Sequence, residues 1–585
     1  MCRDKTRIFA LLLSMSALIA LSQTPPSWVT KSNRNAQLLI DIQSKYGPEG
    51  ASSSGVRGLD EQISIPGPET REHALADYRA AKKELESRLA AETDPLVKQD
   101  LQILIDAADL DIRGSEISFR YFLPYGNPAA SIYAGVSGLL DDQVEAARRP
   151  AALVRLRKYT GLEAGFVPIT ERMEKYYRDR EKTPGLSGPP KTEVEKDLAK
   201  TETYFTGISL LLEKYKVSGY QPAMTKLKEQ LAAYDDFVRK EVLPKARTDF
   251  RLPPEVYKLR LENYGIDYTP QDLATLAHQR FGEWQTEMQK VATQIAQERH
   301  LPSSNYRDVI RTLKNDQLAP DQVMPVYQKT LADIENTLRR ERLITLPERP
   351  AIIRLATAAE TAQQPAPHMR PPALINNTGE RGQFVLPMGT IGEGGKSLKY
   401  DDFTFAAAAW TLTAHEARPG HELQFDNMVE RGVSLARAMF AFNSTNVEGW
   451  GLYAEWFMLP YMPEDAKLIS LQLRLLRAAR AFIDPELQAG KVTPRQAMQI
   501  LQNDVVCSEA FATEEVDRFT FGMPGQAGSY FDGFTRLLAL RTDTEKAMGA
   551  KFNVQRFHDF ILSQGLLPPN LLRKAVTEEF IARAN

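Results

Sequence analysis

Thr413-Ala-His-Glu-Ala-Arg-Pro-Gly-His-Glu-Leu-Gln424 places His415, Glu416 and His421 within two turns of a predicted helix. Imidazole nitrogens are ligands that zinc prefers. A carboxylate beside one of them is placed to act as a general base. The common short form of this arrangement spaces its histidines at i and i+4. Here the second histidine comes two residues late. At ~100° per residue, i+4 lies about 40° from i, whereas i+6 lies about 120° away. A straight helix therefore cannot aim both rings at one ion. Pro419 lacks an N–H and clashes with the preceding turn, and Gly420 accepts backbone angles that other residues avoid. Together they predict a local bulge that absorbs the extra residues and brings His421 back over His415.

A metal needs a third ligand. Asn446-Val-Glu-Gly-Trp-Gly-Leu-Tyr-Ala-Glu455 reads as a helix with Glu448 and Glu455 seven residues apart, hence on one face. Leu452 and Trp456 make that face otherwise apolar, and carboxylates on a buried stripe are costly unless paired or metal-bound. The economical assignment makes Glu448 the third ligand and Glu455 the partner of a ligand histidine. The competing reading is ion pairing with arginines of the next helix.

His415-Glu-Ala-Arg-Pro-Gly-His421 with Gln424, Glu448-Gly-Trp-Gly-Leu-Tyr-Ala-Glu455, and Pro524-Gly-Gln-Ala527 with Tyr530 follow one another in order and spacing. Together they resemble the bacterial family catalogued as domain of unknown function 885, densely from about residue 371 onward and more thinly from about residue 75. That family is similar to helical zincin-type metallopeptidases. The resemblance implies a mainly α, gluzincin- or oligopeptidase-like fold, with a small β-sheet beside the active-site helix and a deep cleft. It also implies one zinc ion held by His415, His421 and Glu448, with Glu416 as general base. Tyr530 would donate its hydroxyl to an oxyanion. Glu455, Arg518 and Gln526 would support the metal or the substrate. The implied substrate is a short peptide. Two positions depart from the family pattern: Gln488 stands where many relatives carry a histidine, and Phe519 where a tyrosine is common. Both bear on substrate preference rather than on the metal.

The 585 residues can bury a large core in several subdomains. A net charge of −2 gives no case for nucleic acid or an anionic membrane surface. Residues 1–22 read as an export signal, with Arg3, Lys5 and Arg7 before an apolar run from Ile8 to Leu21. That run is shorter than the ~20 residues a spanning helix needs, so no stable membrane insertion follows cleavage. Cys2 precedes the run, away from a lipid-acceptor position, and cleavage would leave Cys507 alone. The exported chain, periplasmic or secreted, must then be stable by packing rather than by a disulfide.

Residues 23–70, rich in Ser, Pro and Gly, read as an extended arm. Residues 71–340 read as an N-terminal helical region and 341–585 as the catalytic region. Leu343–Leu346, Ala351–Leu355 and Gln383–Leu386 are predicted strands. Gln383–Met388 is expected near a sheet edge open to strand addition, and His368 on a surface loop. Asp401 or Asp402 is expected to cap the histidine helix, and Asn443 to Thr445 the helix of Glu448. His558 is assigned a structural role. A zinc hydrolase of non-peptide amides or esters, and a metal-free exported binding protein, remain as other readings.

Overall fold

The computed structural model describes residues 26–391 and 397–584, so the export signal expected at 1–22 lies outside the described residues. Helices dominate, and strands are confined among the described residues to 352–399. Pro68, Pro95, Pro270, Pro320 and Pro494 each open a helix. Proline is well suited there, because the first turn has no use for its missing N–H.

The expected arm is largely helical. Ser27–Tyr46 and Pro48–Ser53 are helices, and among the described residues of that stretch Pro26, Gly47 and 54–67 lie outside regular structure. Val29, Ser32, Ala36, Leu39 and Ile40 recur at helical spacing and are buried. Ala36, Leu39 and Ile40 share a core with Leu85, Leu101 and Leu104 of the next two long helices. Ser32 donates to the buried Asp100 at 2.6 Å, and Asp100 also accepts from Arg437 at 2.8 Å. The polar composition concealed an amphipathic helix.

Ile352–Leu355 (β1), His368–Arg370 (β2) and Gln383–Leu386 (β3) form a sheet in the order β1-β3-β2, parallel at the first pairing and antiparallel at the second. Gly389–Ile391 (β4) pairs with Ser397–Lys399 (β5). Residues 383–386 are thus the central strand, buried along their length, with backbone groups committed to both neighbours. The expectation of an open edge there is corrected. His368 begins β2, half-buried, and burial pushes its pKa down, so it is not a surface-loop residue. Leu343–Leu346 forms no strand. Its Leu343 carbonyl accepts from His558 Nδ1 at 2.8 Å, and its Thr345 N–H donates to Asp559 at 3.0 Å. Those bonds replace a ladder.

The sheet lies beside the histidine segment: Phe384 shares a core with Ala408, Ala409 and Leu412. A Cβ on Gly382 would sit 3.1 Å from Glu422 Cγ. Ala406–Glu416 is the first histidine helix, and Phe405 precedes it without a side-chain cap. Asp401 and Asp402 instead hold Lys314 at 2.9 and 2.6 Å, and Asp402 accepts from Ser508 N at 3.1 Å. Asn443 does cap Ser444–Met458, the glutamate helix, accepting from Asn446 N at 2.7 Å.

At the centre runs Glu464–Gln488, the arginine helix, buried around its whole circumference for most of its length. Such a helix must be enclosed by others. The glutamate helix crosses Ser529–Met548, the tyrosine helix, through Gly449 and Gly533, where a Cβ on Gly449 would lie 2.6 Å from the Gly533 carbonyl carbon. Gly533→Ala is expected to lower the unfolding midpoint in denaturant, a cost of about 1–3 kcal/mol of the kind overpacking brings. An unchanged midpoint would contradict so close a crossing.

Candidate metal centre

The first histidine helix stops at Glu416, and His421–Arg431 begins a second. The expected bulge in one helix is instead a break between two. Ala417 (φ −101°, ψ −106°) and Gly420 (φ −77°, ψ −130°) leave helical geometry. A Cβ on Gly420 would overlap the His415 carbonyl oxygen. Pro419 and Gly420 turn their carbonyls to Trp450, whose Nε1–H donates at 3.0 and 3.3 Å. The glutamate helix thus clamps the break. The two imidazoles meet with ring centroids 4.6 Å apart and planes at 84°.

Glu448 Oε2 lies 3.4 Å from His415 Nε2 and 3.3 Å from His421 Nε2. All three candidate ligand atoms fall within 4.8 Å of one another. Glu455 stands behind: its Oε1 is 2.7 Å from His415 Nδ1, and its Oε2 accepts from Thr411 at 2.6 Å. Arg477 Nη2 approaches Glu455 Oε1 at 3.4 Å, so Glu455 joins both a histidine and an arginine of the next helix.

A carboxylate only accepts, so His415 Nδ1 must carry the proton it shares with Glu455. In the neutral ring Nε2 then presents a lone pair to Glu448, also a lone-pair donor. Two such atoms face each other stably only across a proton or a cation. Tetrahedral zinc with ligands at about 2.0–2.1 Å puts neighbouring donors about 3.4 Å apart. The observed separations to Glu448 match that edge, and they are long for a hydrogen bond. Gly451 completes the cradle: a Cβ there would lie 2.5 Å from His415 Cε1. Two imidazole nitrogens and one carboxylate oxygen are the kind of donor set zinc takes. His421 Nδ1 is buried without a partner among the described residues, so the outer support they give is one-sided.

Burial opposes charge on His415, but Glu448 and Glu455 outweigh it and lift its pKa to about 9. Burial likewise opposes ionisation of Glu448, yet the two imidazoles hold it well below the carboxylate range. Both shifts describe a site that gains from positive charge between its donors. Glu416 is different. Burial raises its pKa, and its carboxylate has no hydrogen-bond partner among the described residues.

The Tyr530 ring stacks toward His415, centroids 6.3 Å apart. Its hydroxyl is 3.3 Å from Arg518 Nη1, and burial raises its pKa. Arg518 also pairs with Glu514 at 2.9 Å and donates to Gln526 Oε1 at 3.1 Å. Gln526 in turn donates to Ser444 at 2.9 Å. The predicted residues are therefore one connected cluster. Gln488 lies outside it, accepting from Leu252 N and donating to the Phe519 carbonyl, both at 2.9 Å. Phe519 is fully buried. His558 is a core histidine, donating to Leu343 and accepting from Tyr453 at 2.9 Å, and burial pushes it down to about 3.

Sequence reasoning missed Thr411, Trp450, Gly451 and Arg480, and anticipated Arg477 only as one of the arginines of the next helix. Thr411 had a local signal, since it lies one helical turn before His415. The guanidinium of Arg480 lies 4.5 Å over the Tyr530 ring, a contact between distant helices that no local spacing reports.

The pattern of the family described as "Bacterial protein of unknown function (DUF885)" matches residues 48–576. The chain belongs to that family. Two solved structures share the DUF885 chain's fold. One, from Shewanella oneidensis, carries the description "putative lipoprotein of unknown function". It is 18% identical with a TM-score of 0.68, covering 95% of this chain and 100% of that one. The other, a "putative lipoprotein" from Colwellia psychrerythraea, is 16% identical with a TM-score of 0.73, covering 94% and 99%. No curated protein matches this DUF885 chain.

Zinc at 100 times its Kd is expected to stabilise the purified protein by about 2.7 kcal/mol. Thermal unfolding with and without a chelator reads the effect, and His415→Ala should abolish it. An identical transition in zinc and in chelator would rule out the metal.

Proposed function

We propose that this protein is an exported zinc-dependent hydrolase, a metallopeptidase acting on short peptides. One observation carries the reading: two imidazole Nε2 atoms flank one carboxylate oxygen at 3.3–3.4 Å, with Glu455 fixing the tautomer of the first. The peptide specificity comes from the likeness to gluzincin- and oligopeptidase-like enzymes that the sequence motifs imply. The "putative lipoprotein" descriptions of the two structural neighbours support export, whether to the periplasm or beyond.

His415, His421 and Glu448 would hold the ion, which when bound supplies a Lewis acid for water and for the scissile carbonyl. Glu416 is next to the first ligand, unpaired and raised by burial. A carboxylate so raised takes a proton from water and returns it to a leaving amine more readily than a solvated one. Tyr530 keeps its proton, because burial raises its pKa, and it can donate to a developing oxyanion. Arg518 and Arg480 hold it from two sides: Arg518 Nη1 is 3.3 Å from the hydroxyl, and Arg480 lies over the ring. Glu455, Thr411 and Arg477 keep His415 in one tautomer and one orientation.

Glu416→Gln is expected to lower kcat by about 10²–10⁴-fold while zinc content is unchanged. Mass spectrometry of a digested peptide library and elemental analysis read the two quantities. Zinc-loaded wild type that cleaves esters or non-peptide amides but no peptide would move the reading to another hydrolase. Cleavage that survives Glu416→Gln would remove Glu416 as the base.

A further inference from the structure

A cavity of about 400 Å³ separates the N-terminal helices from the turn that follows Arg518. Arg71, Arg180, Arg247 and Arg260 line it together with Glu193 and Phe521. Four guanidiniums thus face one carboxylate. None of the four forms an ion pair among the described residues, whereas most other arginines of comparable exposure are paired to an acid. Burial lifts Glu193 to about 7, which weakens the single internal counter-charge further.

Three of these side chains are held by backbone carbonyls rather than by acids, and Arg260 hydrogen-bonds to Tyr264. Arg180 Nη2 donates to Phe119 O at 2.6 Å, and Arg71 Nη2 to Ser115 O at 3.4 Å. Arg247 donates to the carbonyls of Gly188, Asp249 and Arg251 at 3.1, 2.6 and 3.1 Å. The guanidiniums of Arg71 and Arg180 lie 3.8 and 3.6 Å from the centre of the Phe119 ring. Their Nε atoms are buried without any partner among the described residues. Positive groups fixed in place, half-buried and short of acceptors, favour an anion that brings its own oxygens. Leaving such donors unmet is costly.

One short segment connects the cavity to the metal centre. Phe521 belongs to the turn Arg518–Gly522, and Arg518 reaches the Tyr530 hydroxyl beside His415. We infer that this cavity binds a carboxylate of the substrate, so that the enzyme selects peptides bearing an acidic side chain or a free C-terminus at a set distance from the cleaved bond. The inference rests on the peptidase reading above. The carboxylate has two possible sources, and both are met by the same guanidinium forks.

The test uses full-length, zinc-loaded protein carrying Glu416→Gln, so that peptides persist, and titration calorimetry. The probes are acetyl-Ala-Ala-Ala-Glu, its C-terminal amide, its Gln counterpart, and the neutral Gln amide. The neutral probe should bind at least about ten-fold more weakly than the diacid, the loss expected when charge-assisted bonds disappear. The two singly charged probes then tell which carboxylate is used. Arg180→Gln with Arg260→Gln should weaken the diacid by about the same factor and leave the neutral probe unchanged. Unchanged zinc content and circular dichroism verify that this variant folds. Equal binding of charged and neutral probes, or binding of none, overturns the inference, and the comparison on the parent protein does so even if the double variant misfolds. Carboxylate-dependent binding without cleavage by the wild type upholds the cavity's role and sinks only the peptidase. Cleavage of neutral and acidic peptides at equal kcat/KM does the reverse.

Discussion

A neutral imidazole inside a protein must choose which nitrogen carries its proton, and at His415 Glu455 makes that choice. The 2.7 Å contact to Nδ1 turns Nε2 toward Glu448, where it offers a lone pair when the ring is neutral and a proton when it is charged. Everything else around the site follows from keeping that arrangement dry and fixed. Thr411 takes the second oxygen of Glu455, and Arg477 supplies the opposite charge. Without them a buried carboxylate would recover a proton rather than hold one for its neighbour. With them Glu455 stays ionised despite burial, its pKa lowered chiefly by Arg477 and His415 acting against desolvation.

That requirement explains why the central helix, enclosed on all sides, carries Arg474, Arg477 and Arg480 where apolar residues would ordinarily stand. Arg480 pairs with both oxygens of Glu515 at 2.6 Å, and Arg477 meets Glu455. Arg474 lies near the rings of Trp284 and Phe534, at 6.0 and 5.6 Å, and burial lowers its pKa. Buried ion pairs are poor evidence of stability, since desolvation offsets most of the attraction. Their persistence here is better explained by the site they orient than by the fold they sit in.

Features that depend on near neighbours along the chain were legible in the sequence. The helix starts at proline, the Asn443 cap, the face shared by Glu448 and Glu455, and the need for a departure at Pro419-Gly420 all follow from local stereochemistry. Which departure was not legible: a bulge and a clean break place His421 similarly, and the choice is made by Trp450, a side chain on another helix. Asp402 illustrates the same limit. Its sequence position suits a helix cap, but Lys314 and Ser508, brought in from distant parts of the chain, claim its oxygens. The strand Gln383–Leu386 was found and its rank in the sheet was not, because burial on both sides is a property of its neighbours. The first helix escaped for a different reason. Ser32 and Asn35 lie on its buried face, where Asp100 and Arg88 satisfy them, so hydrophobic periodicity understated it.

Glycine sets the distances that side chains then exploit. Helices ordinarily pack 8–10 Å apart, a spacing dictated by the side chains between them. At Gly449 and Gly533 that layer is missing, and the glutamate and tyrosine helices touch through backbone. At Gly451 the same absence lets the His415 ring lie against the glutamate helix, and at Gly420 it lets the second histidine helix fold back over the first. Backbone contacts have no rotamers to exchange. The approach of the two histidine helices at Gly420, and of the glutamate and tyrosine helices at Gly449 and Gly533, is therefore set by backbone, while Tyr530 and Arg518 are held through side chains. A site built this way is fixed at its glycines, and the departures at Gln488 and Phe519 fall elsewhere: Gln488 bonds the Leu252 N–H and the Phe519 carbonyl, and neither residue is a neighbour of Gly420, Gly449, Gly451 or Gly533.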